Sequence, residues 1–464
     1  MIAICGVGMG SLAGMLQARG VRVTGSDGAV YPPMSEQLAA RGIPVMQGYD
    51  PAHLVPRPDL VVVGNAISKG NPEGDAAIAA GIPYVSMAEA LRLFFFEGKN
   101  LTALCGTHGK TTSTALLSWI LERAGRDPTY LVGGVMQNTD ASFRIGQGPL
   151  AVVEGDEYDT AWFDKVPKFL RYRPDCAALG NIEFDHADIY ADLGAVMNAF
   201  RMLAAVLPVG GFLAAGIDSP NVRRMLPEFQ CAVRTFGFAP DAQITGRMRA
   251  VEPERMTFEI TQDGRRRGIY EAPMVGEYNL LNILGVAALC DRLGVEDREF
   301  RDGVESFAGV KRRQQILGEA AGVLVIDDFA HHPTAVRVTL AALRAARPDR
   351  RLVVAFEPRT NTSRRKIFQR DYAAAFGAAD CAIVCDVQPL AKGLPAEKLD
   401  VAELVADICA RGVAARRAAD YDATLALLET ELRRGDQVVF LSNGGFGALP
   451  RRCLAALQAR EARS

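Results

Sequence analysis

The sequence predicts an α/β protein of three domains: a Rossmann-like N-terminal domain, a P-loop central domain and a Rossmann-like C-terminal domain. Three observations predict it. The chain has 464 residues, about three domains at ordinary domain size. Short apolar runs alternate with helical patterns in three successive stretches, as in parallel doubly wound sheets. A glycine turn running into Lys-Thr-Thr joins one such run, in the middle stretch, to a helix. Boundaries are expected at 1–98, 99–310 and 311–464.

In the first stretch, strands are expected at residues 2–5, 21–24 and 60–63, with helices between them. Cys5-Gly6-Val7-Gly8-Met9-Gly10-Ser11 follows the first strand and opens a helix, and Asp27 ends the second. In dinucleotide folds such glycines let a diphosphate sit on the helix N-terminus, and such an acid reaches a sugar hydroxyl. The glycines fall at 6, 8 and 10, so the GxGxxG fingerprint is not met and Ser11 occupies its last position. A ligand site and a plain tight turn fit these residues equally. An NAD reading lacks hydride chemistry downstream, whereas a UDP-sugar fits the same physics.

The second stretch opens after the polar break Glu97-Gly98-Lys99-Asn100 with an apolar strand, 101–105, then Gly106-Thr107-His108-Gly109-Lys110-Thr111-Thr112 and a helix to about 124. Strand, glycine turn and helix dipole together hold a nucleotide triphosphate. Lys110 would lie on the β/γ-phosphates and the Thr111 hydroxyl would ligate Mg²⁺. Leu104 stands where the full pattern has its first glycine. Further strands are expected at 150–154, 176–179 and 212–215, then a β-rich patch at 233–236, 256–261 and 269–271 before a helix over 278–293. Glu154 ends one strand, where such domains hold Mg²⁺; the alternative is a solvated acidic loop. His186 follows another, as a second metal ligand or a buried polar residue bonding a backbone carbonyl. Thr111, Glu154 and His186 are expected at one sheet edge.

The third stretch repeats the rhythm with strands at 323–326, 352–356, 382–385 and 438–441 and a helix over 334–346 that Pro333 would start. Asp327 or Asp328 could bind a ribose hydroxyl, and His331 or His332 could line the nucleotide; a helix N-cap acid and an incidental histidine pair are the alternative. Lys311-Arg312-Arg313 at the boundary is a solvated hinge or an approach to triphosphate. Arg359 suits bidentate carboxylate binding. Arg364, Arg365 and Lys366 read as a solvated helical face.

Composition narrows the classes. A net charge of −2 gives no general pull toward nucleic acid or anionic membrane, and no apolar run approaches a membrane helix. Residues 91–96 are far too short for one. The chain starts on a strand with no secretion signal, and an upstream start codon would lengthen that strand. Nine scattered cysteines (5, 105, 176, 231, 290, 381, 385, 409, 453) show no framework, which fits reduced structural thiols of a cytoplasmic protein. Cys381 and Cys385 lack a zinc spacing.

Together these residues resemble the Mur ligase family, the ATP-dependent amide ligases of bacterial cell-wall precursors. The resemblance spans the chain: GTHGKTT (106–112), the acids after Val153, NIEFDHADIY (181–190), GEYNLLN (276–282) and DDFAHHPTAV (327–336) stand in family order. VYPPMS (30–35), GDEYDTAWFDKVPKF (155–169), FEPRTNT (356–362) and SNGGFG (442–447) are similar to the branch that takes a whole tripeptide. That branch joins L-alanyl-γ-D-glutamyl-meso-diaminopimelate to UDP-N-acetylmuramate in peptidoglycan recycling. The sister branch, which adds L-alanine alone, shows Tyr-Gly where Phe329-Ala330 stand and lacks EPR-x-N.

The resemblance implies ATP and Mg²⁺, with the central domain as the ATPase. Residues 106–112 would hold the triphosphate, and Thr111, Glu154 and His186 two Mg²⁺ ions. Asn279 and Asn282 would approach the adenine, Arg313 and Asp327 the phosphates and ribose. Gly6, Gly8, Met9, Gly10, Ser11 and Asp27 would hold UDP, with Asn65, Ala66 and Ser68 near the uracil. His108 and Asn181 would border the muramate carboxylate. Several relatives use a carbamylated lysine where this chain reads Asn198-Ala199-Phe200-Arg201, so it should manage without one.

The implied reaction has two steps: the muramate carboxylate attacks the γ-phosphate, then the incoming amine displaces phosphate from the acyl phosphate. Lys110, His108, Asn181 and His186 are the catalytic candidates. Arg359 and Asn361 would meet the carboxylates of a peptide acceptor, and third-domain closure would exclude water. The rivals are an L-alanine-adding ligase and a nucleotide-binding switch. The expected partners are therefore small molecules, with neither nucleic acid nor membrane.

Overall fold

The computed structural model describes residues 1–28, 30, 34–387 and 397–463; Tyr31, Pro32 and Pro33 of the VYPPMS segment lie outside them. The fold is α/β throughout, with parallel-dominated sheets.

In the first domain, strands Gly25–Asp27 and Val45–Gln47 pair in parallel, as do Val61–Val63 and Tyr84–Ser86. Ile2 bridges the two pairs through Ser26 and Val63. The strand expected over 2–5 is thus reduced to one bridging residue, because the chain turns at Ala3, whose φ is +64°. The strand expected over 21–24 begins later. Residues 19–21 are spent closing the preceding helix, with the Val21 N–H on the Leu16 carbonyl. The resulting order runs Val45–Gln47, Gly25–Asp27, Ile2, Val61–Val63, Tyr84–Ser86. Its reversal point lies beside Ile2, where doubly wound folds open a ligand crevice.

The central sheet has ten strands. Asn100–Cys105 lies between Leu150–Gly155 and Cys176–Leu179, parallel to both. Period-two alternation explains why these runs are almost wholly apolar. Leu104, Val152 and Ala178 face one core, with helices Lys110–Arg123 and Glu277–Arg292. Ala103, Val153 and Leu179 face the other, with helix Leu193–Val206. A sheet covered on both faces needs apolar side chains at every position. The β-rich patch forms an antiparallel extension, Ile244–Glu252, Arg255–Gln262 and Arg265–Ala272. Ile244–Glu252 escapes sequence reading because only one of its side chains is buried and a threonine, two arginines and a glutamate interrupt its apolar residues.

The third sheet runs Gln315–Ala320, Val323–Asp328, Asp436–Leu441, Arg351–Phe356, Cys381–Cys385, Ala414–Ala418, and only the first pairing is antiparallel. The DDFAHHP, SNGGFG and FEPRTNT segments therefore leave the carboxyl ends of three adjacent strands. Pro333 starts the helix Pro333–Ala346, as expected. All nine cysteines are free thiols, and all but Cys5 and Cys409 are buried. Among the described residues no helix is long and apolar enough to cross a membrane.

Candidate active site

A cleft of about 2670 Å³ runs between the carboxyl edges of the central and third sheets and reaches the first domain. Residues 107–112 of the glycine turn line it. Gly106 and Gly109 have φ of +129° and +85°, a region that L side chains rarely adopt. A Cβ on Gly106 would stand 3.0 Å from the Asn181 carbonyl, and one on Gly109 would stand 2.3 Å from Asn282 Oδ1. Asn181 grips His108 twice: its Oδ1 accepts the His108 N–H at 2.8 Å and its Nδ2 donates to the His108 carbonyl at 3.2 Å. The Thr107 N–H donates to the Asn181 carbonyl at 3.1 Å. Asn181 thus sets the shape of the turn.

Lys110 Nζ donates to the Gly106 carbonyl at 2.7 Å and to Glu157 Oε2 at 2.9 Å, with Asp156 Oδ1 at 3.9 Å. Burial opposes its charge, but Glu157 and Asp156 outweigh burial and hold the ammonium above its ordinary value. The other oxygen of Glu157 faces His186 Nε2 at 3.4 Å. That contact and the charge on Glu157 raise His186 against the effect of its burial. Asp156 takes Lys168 Nζ and the Tyr158 hydroxyl, each at 2.8 Å.

Thr111 Oγ1 donates to Glu154 Oε2 at 3.1 Å, and Arg313 Nη2 donates to the same threonine oxygen at 3.3 Å. Burial, then the negative charge of Asp156, push the Glu154 carboxyl up. Two hard oxygens side by side, one of them a carboxylate oxygen, fit a Mg²⁺ ion. Thr111, Glu154 and His186 leave three neighbouring strands at one sheet edge, as expected.

The nucleotide candidates cluster beside the turn. Asn282 Nδ2 donates to Asn279 Oδ1 at 3.3 Å, and Asn279 donates to the Val275 carbonyl at 2.9 Å. The Arg313 guanidinium sits over the Phe329 ring, 4.7 Å from its centroid, and Arg312 holds Asp327 at 3.3 Å. In the first domain Gly6, Gly8, Met9 and Asn65 line the cleft, whereas Gly10, Ser11, Asp27, Ala66 and Ser68 do not. Ser11 shares a 2.7 Å hydrogen bond with Ser142 of the central domain. A Cβ on Gly10 would strike Met34 Sδ at 2.1 Å, so that glycine serves packing. Asp27 Oδ2 accepts the Cys5 N–H at 2.8 Å and so braces the glycine turn.

Family models match in tandem: the Mur ligase family catalytic domain over residues 1–95, the Mur ligase middle domain over 104–290, and the Mur ligase glutamate ligase domain over 312–444. The chain belongs to the Mur ligase family. As a Mur ligase it is an ATP-dependent, amide-forming enzyme of peptidoglycan synthesis. It is 36% identical to a UDP-N-acetylmuramate–L-alanyl-γ-D-glutamyl-meso-2,6-diaminoheptandioate ligase of Escherichia coli, over 98% of this chain and 97% of that protein. It is 37% identical to a UDP-N-acetylmuramate–L-alanine ligase of Rubrobacter xylanophilus, over 83% of each. A murein peptide ligase structure from Psychrobacter arcticus superposes with a TM-score of 0.75 at 32% identity, covering 98% of both chains.

On the third-domain side of this Mur ligase, Arg359 and Asn361 line the cleft. Arg359 Nη1 lies 3.5 Å from the buried Glu357 and packs on Gly444, where a Cβ would meet its Cδ at 2.3 Å. Asn361 Nδ2 donates to Asp188 Oδ2 of the central domain at 2.7 Å. Both histidines of DDFAHHP have lowered pKa values. Burial depresses His331, and burial with the charge of His108 takes His332 to about 4. His332 is the helix N-cap, its Nδ1 accepting the Thr334 N–H at 3.3 Å.

Sequence reading missed Asp156, Glu157, Lys168 and Glu183. The first two sit within two or three residues of Glu154, and their partners come from residues distant along the chain. Tandem acids look alike in sequence; only the fold shows which one meets Lys110.

Proposed function

We propose that this Mur ligase joins L-alanyl-γ-D-glutamyl-meso-diaminopimelate to UDP-N-acetylmuramate through an acyl phosphate, as part of peptidoglycan recycling in the bacterial cytosol. In this reading residues 1–98 hold the UDP-sugar, 99–310 hold ATP, and 311–464 bring the peptide and close over ATP. The observation that carries it is the meeting of two sheet edges: Lys110, Thr111, Glu154 and His186 on one side, Arg359 and Asn361 on the other, around one cleft.

The turn 106–112 binds the triphosphate through its N–H groups, with Lys110 on the transferred phosphoryl. Thr111 and Glu154 would hold a Mg²⁺ ion, with His186 placed for a second; when bound, the metal neutralises charge on the phosphate oxygens. The muramate carboxylate attacks the γ-phosphorus, the bond to ADP breaks, and an acyl phosphate forms. The peptide amine then attacks the acyl carbon, phosphate leaves and the amine gives up a proton. Catalysis is positioning and charge stabilisation. The tripeptide carries three carboxylates, which Arg359 suits by its two-pronged geometry.

The relatives that add L-alanine favour a second acceptor. A panel of L-alanine and tripeptide, read by phosphate release and product mass, tests the choice. Amide formation with tripeptide is expected; turnover with L-alanine alone would reverse it.

A further inference from the structure

Glu183 touches both halves of the machine and is named in no role above. It follows Asn181 and Ile182 at a strand end of the central sheet. Its main chain holds the phosphate turn: the Glu183 N–H donates to Thr107 Oγ1 at 2.8 Å, and that hydroxyl donates to the Glu183 carbonyl at 3.3 Å. Its side chain reaches two ways from one oxygen. Oε2 lies 3.3 Å from His108 Nε2 of the phosphate turn and accepts the Thr334 hydroxyl of the third domain at 2.6 Å. Next to it, His332 Nε2 meets the Phe184 carbonyl at 3.1 Å, and the Phe184 ring packs on Phe368 of the third domain.

His108, Glu183 and His332 form a group of possible metal ligands, with their ligand atoms within 4.8 Å of one another. Hydrogen bonds already occupy that space. His332 has no lone pair left for a cation, since its Nδ1 accepts the Thr334 N–H and its Nε2 faces the Phe184 carbonyl, and Glu183 Oε2 already accepts the Thr334 hydroxyl. The cluster is a latch, not a metal site.

We propose that Glu183 is a positioning residue that ties docking of the third domain, through Thr334, to the shape of the phosphate turn. The third domain carries Arg359 and Asn361, so the same contact that seats the acceptor side also fixes His108 above the triphosphate. An acyl phosphate formed while the latch is shut is screened from water. With the latch open it meets water before it meets the amine. This consequence rests on the acyl phosphate route proposed above.

The test is the number of phosphates released per amide formed, in the full chain with ATP, Mg²⁺, UDP-N-acetylmuramate and tripeptide. Wild type should release one phosphate per amide. Thr334→Val should lower amide formation about tenfold, the weight of one charge-assisted hydrogen bond, and Glu183→Ala, which also loses the His108 contact, by at least as much. Each should also raise the phosphate-to-amide ratio. Glu183→Gln keeps an oxygen for the Thr334 hydroxyl and should stay near a ratio of one. A fall in amide formation with the ratio still at one in both latch variants, or a ratio in Glu183→Gln as high as in Glu183→Ala, overturns the latch. Wild type that forms no amide overturns the parent reading instead.

Discussion

Lys110 and Glu157 form a salt bridge of 2.9 Å across the phosphate turn, with their side chains only 11% and 1% exposed. Such a pair is costly to break on one side, since the remaining charge stays buried without a partner. Lys110→Met should therefore abolish turnover and also lower stability by about 3 kcal/mol. Adding Glu157→Gln should recover much of the melting temperature and none of the activity. Calorimetry alongside ATP turnover separates the two effects.

Gly109 offers a sharper probe of nucleotide binding. Its φ is +85°, and Asn282 Oδ1 stands where a side chain would begin. Gly109→Ala should weaken ATP binding about tenfold or more, because the turn must distort to admit the methyl group. Titration calorimetry with ATP reads this directly, and an unchanged affinity would contradict the geometry.

Arg359 tests the acceptor side. Lysine keeps the charge but loses the planar fork. Arg359→Lys should raise KM for tripeptide about tenfold and leave KM for ATP alone, as expected when uniform binding of one substrate is lost.

His332 sets a pH dependence. Burial lowers its pKa from 6.5 to about 4, with His108 adding to the shift and Asp185 and Glu183 opposing it. The unfolded chain takes up this proton at a higher pH than the folded chain does. The stabilisation from neutral His332 is therefore complete above 6.5 and is lost as pH falls toward 4. Between pH 7 and 5 it should shrink by about 2 kcal/mol. His332→Asn keeps a capping oxygen without titrating. Its melting temperature should fall less than that of wild type over the same interval.

Much of this was legible in the residues. Central strands buried on both faces read as unbroken apolar runs, so the runs in the sequence match Cys176–Leu179 to the residue, and Asn100–Cys105 and Leu150–Gly155 to within one. The phosphate turn was legible because glycines and Lys-Thr-Thr have few other uses in that spacing. The first domain was harder. Its opening strand is reduced to a single bridging residue, Ile2, held by neighbours on both sides that periodicity does not reveal. Roles that depend on partners were hidden as well. Ser11 reads as the end of a ligand turn until Ser142 is seen across from it, and Glu183 reads as one acid among several until Thr334 arrives from the third domain.

The central claim is that the sugar acid is phosphorylated before the amide forms. UDP-N-acetylmuramate labelled with ¹⁸O in its carboxylate, turned over with ATP, Mg²⁺ and tripeptide, tests it most directly. One labelled oxygen should appear in the phosphate released for each amide made. Amide formation with unlabelled phosphate would contradict the account.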